Sequence, residues 1–244
     1  MLRQFYDISS ISRAILVACL CLLGLQSALA DTIAVIGTGN VGSALGRRFA
    51  EQGHTVIYGS RTPQRDDVRE LVAISGSNAS VSEPRAAAQA AEIVVLAVPA
   101  GVAEDLVPTL GDLSGRILID PTNPRVIADD GLRDYAYADS LAERIQALAP
   151  GAFVVKAFSS LGAYTMLDPS VADGPVSIPL AGDDAAAKAK VAELTSAIGL
   201  VPVDVGPLRY AHVIEGLHYL RYNAGQFDDA RINFYFRPDL ADPN

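Results

Sequence analysis

Cysteine is nearly absent. The 244 residues contain two, Cys19 and Cys21, both within the first 30. The rest of the chain therefore has no thiol nucleophile, disulfide framework or cysteine metal ligand. Histidine is scarce too, at three residues, His54, His212 and His218. There is no HExxH, no GxSxG and no pair of carboxylates at a convincing spacing, so the usual marks of metalloproteases, serine hydrolases and two-carboxylate enzymes are missing. His212 and His218 are six residues apart and do not share a helical face as an i, i+4 ligand pair does. Glu215 is three residues from each, and a surface or interface role is expected for all three. No metal site is predicted. Basic residues are few, 19 against 28 acidic, giving a net charge of −9. That balance argues against nucleic acid or an anionic membrane as partner. No internal repeat, long linker or low-complexity tract interrupts the chain.

The first 30 residues differ from the rest. Arg3 and Arg13 form a positive start, Ala14 to Leu25 is an apolar run, and Ala28-Leu29-Ala30 is a small-x-small site before Asp31. This pattern predicts a secretory signal peptide over 1–30 and an exported, periplasmic protein. Paired arginines are lacking, which favours export of the unfolded chain. Two alternatives stay open, a lipoprotein box at Leu16-Val17-Ala18-Cys19 and an uncleaved anchor. Removing the leader makes the remainder one unit more acidic.

Beyond Asp31, apolar runs alternate with helical stretches. Strands are expected at 32–36, 54–58, 92–97, 116–119, 152–156, 176–181 and 201–204, with a marginal one near 79–81. Helices are expected at 40–52, 64–75, 84–91, 101–112, 138–149, 184–198 and 208–222. Runs such as Ile93-Val94-Val95-Leu96 suit strands covered on both faces. The fold class is therefore α/β, a doubly wound, mostly parallel sheet. A domain over 31–206 is followed by a C-terminal helix and arm over 207–244. The arm is expected to be an edge strand, a covering segment or a homodimer contact.

The segment IAVIGTGNVGSAL places Gly37, Gly39 and Gly42 between a strand and a helix. In this context Gly37 makes the tight turn, Gly39 admits a pyrophosphate and Gly42 lets the helix pack on the strand. The helix N-terminus favours the anion. At the end of the second strand, an NAD site would place a carboxylate on the ribose 2′-hydroxyl. This chain has Ser60 and Arg61 there, with Arg65 one turn later. A hydroxyl and two guanidinium groups suit a 2′-phosphate, so the predicted cofactor is NADP.

These segments, together with YGSRTP, VVLAVPAG, ILIDPTNP, VVKAFSSLGA and the stretch from LAGDD to VGPL, resemble the NADPH-dependent coenzyme F-420 reductase family. That Rossmann-type group is related to the N-terminal domain of pyrroline-5-carboxylate reductase and to the cytosolic domain of metalloreductases. The resemblance covers Thr32 to about Gly206. It implies that Thr38, Gly39, Asn40 and Val41 line the pyrophosphate and that Ser60, Arg61 and Arg65 hold the 2′-phosphate. It also implies that Val98, Pro99 and Ala100 pass the nicotinamide ribose, and that Ala157 offers backbone to the carboxamide. The chain departs from the family at Ser159, where relatives carry Asn or His and where the second substrate is faced. It also departs in its export leader, since the relatives are cytosolic.

The function implied is hydride transfer between NADPH and a flavin or deazaflavin, a small-molecule acceptor. Such a reaction needs stacked rings and a dry site rather than a proton relay, so no catalytic side chain is predicted. Lys156 is expected either as a strand-end surface lysine or as a binder of an anionic substrate, and Tyr210 and Tyr219 as packing residues. The alternatives are an imine, carbonyl or metal-chelate reductase, or a nucleotide-binding module without turnover.

Overall fold

Ile33-Ala34-Val35-Ile36 and Ile93-Val94-Val95-Leu96 have no polar face, and all eight residues are buried. Such strands need cover on both sides. A computed structural model describes residues 30–124, 126–227, 233 and 235–237 of the chain. The predicted signal peptide lies outside the described residues. From Asp31 onward the chain forms one compact unit.

The strands are β1 (Thr32–Ile36), β2 (Thr55–Gly59), β3 (Ala79–Ser82), β4 (Ile93–Leu96), β5 (Ile117–Asp120), β6 (Val126–Ile127), β7 (Arg133–Asp134), β8 (Phe153–Lys156), β9 (Ser177–Gly182) and β10 (Val201–Asp204). The helices are α1 (Asn40–Glu51), α2 (Asp66–Ser75), α3 (Pro84–Ala90), α4 (Ala100–Leu106), α5 (Leu141–Leu148), α6 (Ala163–Leu167), α7 (Ala185–Ala197) and α8 (Ala211–Phe227). Eight strands form one sheet in the order β10-β9-β8-β5-β4-β1-β2-β3. All neighbours are parallel except β8 and β9. β6 and β7 form a separate hairpin. This is the expected doubly wound, mostly parallel sheet.

Alternation along β1 sorts the core into two layers. Ile33 and Val35 join Leu45 and Phe49 of α1 on one face. Ala34 and Ile36 join Ala87 of α3 and Ala103 of α4 on the other. Truncating a buried phenylalanine such as Phe49 to alanine costs about 3–5 kcal/mol.

Element ends follow local chemistry. α5 starts at Leu141, not 138, because Ser140 and Glu143 form a reciprocal capping box. α4 stops at Leu106, short of the expected 112. Pro108 lies in a 3₁₀ turn over Val107–Leu110, which Gly111 ends at φ 89°. A proline has no N–H to continue the helix. After Gly206 a 3₁₀ turn, Leu208–Tyr210, leads into α8, which runs on to Phe227. Among the described arm residues, Phe236 accepts from Ser177 N–H at 2.7 Å and Arg237 donates to the Ala172 carbonyl at 2.8 Å. These positions cover their own domain. The other arm positions, 228–232, 234 and 238–244, lie outside the described residues. No described helix is long and apolar enough to cross a membrane.

Candidate functional site

The sheet reverses its winding direction between β1 and β4. In open α/β sheets the ligand crevice forms there, beyond the carboxyl ends of the strands. The turns after β1, β2 and β4 line a groove of about 540 Å³ that includes Gly37, Thr38, Gly39, Ser60, Arg61 and Arg65. Val98 and Pro99 close its inner end.

The three glycines have separate geometric reasons. Gly37 has φ 110°, and a Cβ there would lie 2.3 Å from the Ala97 carbonyl oxygen. A Cβ on Gly42 would lie 2.0 Å from the Gly37 carbonyl oxygen, so α1 meets the turn only without a side chain. At Gly39 an added Cβ meets no atom within 4 Å. Protein packing does not require that glycine; the open space above it does. Gly39 also precedes the first turn of α1, which no side chain caps and which carries no acidic residue. Unpaired N–H groups at a helix start form an anion site. The cradle therefore fits a dinucleotide pyrophosphate.

At the far end of the groove, Ser60 is buried and its Oγ accepts from Thr62 N–H at 3.2 Å. Its own proton remains available to a phosphate oxygen. Arg61 is exposed and makes no ion pair among the described residues. Arg65 is engaged: its guanidinium grips Asp67 bidentately, with Nε to Oδ1 at 2.8 Å. That hydrogen bond raises the Arg65 pKa and lowers that of Asp67. The pair is fully exposed, where such bridges are weak and exchange readily.

A second cavity of about 170 Å³ opens beyond the same junction. Val98 and Pro99 line both spaces. Its walls include Val41, Ala100, Asn123, Phe158, Ser159 and Met166, with His218 and Arg221 from α8. Phe158 is fully buried with φ 64°. A bulky residue in the left-handed region is strained by about 1–3 kcal/mol, and such residues cluster at functional sites.

Beneath this cavity is a buried ionic cluster. Asp120 and Lys156 are register partners at the ends of β5 and β8. Lys156 Nζ donates to Asp120 Oδ2 at 2.9 Å, Glu215 Oε1 at 2.8 Å and the Thr122 carbonyl at 2.5 Å. All three ammonium donors are used. Glu215 also accepts from Leu141 N–H at 3.1 Å, tying α8 to the start of α5. Burial pulls the Lys156 pKa down, but the two carboxylates outweigh it and hold the value above the ordinary one. Burial pushes the Glu215 pKa up, and Asp120 adds to that rise.

The residues from Thr32 to Asn123 carry a recognisable signature. A family model described as NADP oxidoreductase, coenzyme F420-dependent, matches residues 32–124. The F420-dependent NADP reductase of Methanothermobacter thermautotrophicus is 33% identical over 210 residues, 78% of this chain and 88% of that relative. The chain belongs to this family of NADP-dependent oxidoreductases. A solved structure from Arthrobacter sp. FB24, proposed to be an F420-dependent NADP reductase, is 30% identical with a TM-score of 0.77. It covers 86% of this chain and 100% of that one. Metalloreductase STEAP3 of Rattus norvegicus is 30% identical over 188 residues, 77% of this chain. The chain spans 36% of that metalloreductase, little more than a third. A reductive aminase of Aspergillus terreus, 20% identical with a TM-score of 0.57 over 81% of this chain and 61% of its own, shares the fold.

In this NADP oxidoreductase, not every residue singled out from sequence reaches the groove. Asn40 opens α1 and is exposed, Gly42 is buried behind the turn, and Val41 and Ala100 face the second cavity. Ala157 is fully buried, donates its N–H to the Asp120 carbonyl at 3.2 Å and lines neither space. Lys156 is neither a surface lysine nor a substrate contact, because two carboxylates enclose it. Glu215 is not on the surface, being 1% exposed. Sequence reasoning missed the cluster, although Asp120 and Lys156 each end an apolar strand.

Proposed function

We propose that this NADP oxidoreductase transfers hydride between NADPH in the glycine-lined groove and a flavin or deazaflavin in the neighbouring cavity. The observation that carries this reading is the junction, where Val98 and Pro99 line both spaces. When bound, NADPH supplies hydride from its nicotinamide ring. The N-terminus of α1, through Thr38, Gly39, Asn40 and Val41, binds the pyrophosphate. Ser60 and Arg61 bind the 2′-phosphate, joined by Arg65 once it exchanges Asp67 for the ligand. Val98, Pro99 and Ala100 shape the space beside the nicotinamide ribose. Phe158, Leu161 and Met166 exclude water from the far side. With both rings held in contact, positioning supplies the catalysis and no side chain needs to carry a proton.

Anaerobic NADPH oxidation with riboflavin, FMN, a deazaflavin, a ferric chelate and a cyclic imine tests the reading. Faster turnover with the flavins or the deazaflavin supports it. Preference for the chelate or the imine replaces it with the reductase alternatives. NADPH binding without turnover on any acceptor overturns it in favour of a binding module.

A further inference from the structure

A lysine buried between two carboxylates contributes little net stability, because the loss of water offsets the attraction. Apolar residues of similar volume often stabilise a core as well or better. Asp120, Lys156 and Glu215 are nonetheless all buried, and none of them lines either cavity. Their bonds go to three other segments, and those segments share one property.

The first segment is the turn after β5. Asp120 Oδ1 accepts from Thr122 N–H at 2.8 Å and from Thr122 Oγ1 at 2.6 Å, while Lys156 Nζ donates to the Thr122 carbonyl. Thr122 is thus held at three atoms. Asn123, next to it, donates from Nδ2 to the Ser159 carbonyl at 2.8 Å. The second segment is the turn after β8. It starts beside Lys156, where Ala157 N–H meets the Asp120 carbonyl, and it contains Phe158 with its strained φ of 64°. The third is α8, which Glu215 ties to Lys156 at 2.8 Å. Thr122, Asn123, Phe158, Ser159 and α8 are all walls of the second cavity. Among the described residues, none of the three segments lines the nucleotide groove. One ammonium therefore sets the spacing of the walls around one space and leaves the other alone.

We infer that Asp120, Lys156 and Glu215 are positioning residues for hydride transfer: they hold the turns after β5 and β8 and helix α8 at the separation that brings an acceptor ring onto the nicotinamide. This role rests on the two-site reading above and assigns it residues that touch neither substrate. Tolerance in such a site is small, since a displacement of about 1 Å costs on the order of 100-fold in rate.

The test removes charge and keeps volume. Asp120→Asn, Lys156→Met and Glu215→Gln combined eliminate all three charges, leaving an oxygen at 120 for Thr122 and one at 215 for Leu141. The triple variant should melt close to the wild type and bind NADPH with wild-type affinity in calorimetry. Its single-turnover rate of NADPH oxidation by FMN should fall by about 10- to 100-fold. Hydrogen–deuterium exchange should rise by about tenfold or more in peptides spanning 117–123 and 157–161, and stay unchanged over 37–42 and 59–65. Glu215→Gln alone keeps Asp120, Lys156 and an oxygen between them and α8, so it should recover most of the rate while showing the same pattern in weaker form. It also decides the matter if the triple variant does not fold. A cluster that only stabilises would leave the rate per folded molecule and the exchange of those peptides at wild-type values, and that result overturns the inference. A loss of NADPH affinity in step with the rate overturns it as well. If the wild type does not reduce FMN, the hydride-transfer reading fails with this acceptor, while the exchange pattern still decides whether the cluster positions these walls.

Discussion

At the scale of single residues, the groove distinguishes what packing demands from what a ligand demands. Gly37 and Gly42 are fixed by protein atoms that a Cβ would strike, whereas Gly39 faces open space. Gly39→Val should therefore leave the thermal midpoint nearly unchanged and abolish nucleotide binding by calorimetry. Unchanged affinity would remove the pyrophosphate from this turn. Arg61 is the guanidinium at the 2′-phosphate corner that no carboxylate engages among the described residues. Arg61→Ala should weaken NADPH by about one to two orders of magnitude, with little change for NADH. Arg65→Ala should cost less, because Arg65 gives up Asp67 to reach the phosphate. Equal losses for the two nucleotides in Arg61→Ala would contradict the assignment of the corner.

At the scale of elements, the Lys156 cluster joins β5, β8, α5 and α8. Lys156→Met leaves two carboxylates facing each other in the core and should cost about 3–5 kcal/mol, a large share of a typical domain's stability. Glu215→Gln keeps an oxygen for Lys156 and should cost less. The pH dependence follows from the raised Glu215 pKa. Stability from this group is fully present below the ordinary 4.5 and is lost as pH rises through the higher folded value. The wild type should therefore lose stability relative to Glu215→Gln as pH rises above 4.5, and parallel denaturation profiles would contradict this. The turn, helix and strand of the first βαβ unit were legible because the glycine spacing is local. The cluster was not, because a lysine ending an apolar strand reads the same whether it meets water or two carboxylates. Its partners are 36 and 59 residues away in sequence. Phe158 was equally hidden, since no side-chain pattern announces a positive φ outside glycine. α6 spans five residues and β6 and β7 two each, too short for any periodicity to show. The helix expected over 101–112 ran through Pro108, whose 3₁₀ turn accounts for the shorter α4.

At the scale of the whole molecule, the apolar leader and the reductase unit make different demands. Asp31, next to the small-x-small site, donates its backbone N–H to His54 Nδ1 at 3.1 Å at the start of β1. From the leader pattern we propose that the mature chain begins at Asp31 and that the folded protein lies outside the cytoplasm. N-terminal sequencing of protein from its native host should read Asp31 first, and an intact Met1 in the cytoplasmic fraction would refute this. The central claim, however, concerns the two adjoining spaces. If NADPH and the acceptor occupy them together, hydride passes within a ternary complex and no reduced form of the enzyme is released between substrates. Initial rates measured across a grid of NADPH and FMN concentrations, under anaerobic conditions, test this most directly. The account predicts double-reciprocal lines that intersect, and parallel lines, the pattern of a ping-pong reaction through one shared space, would contradict it.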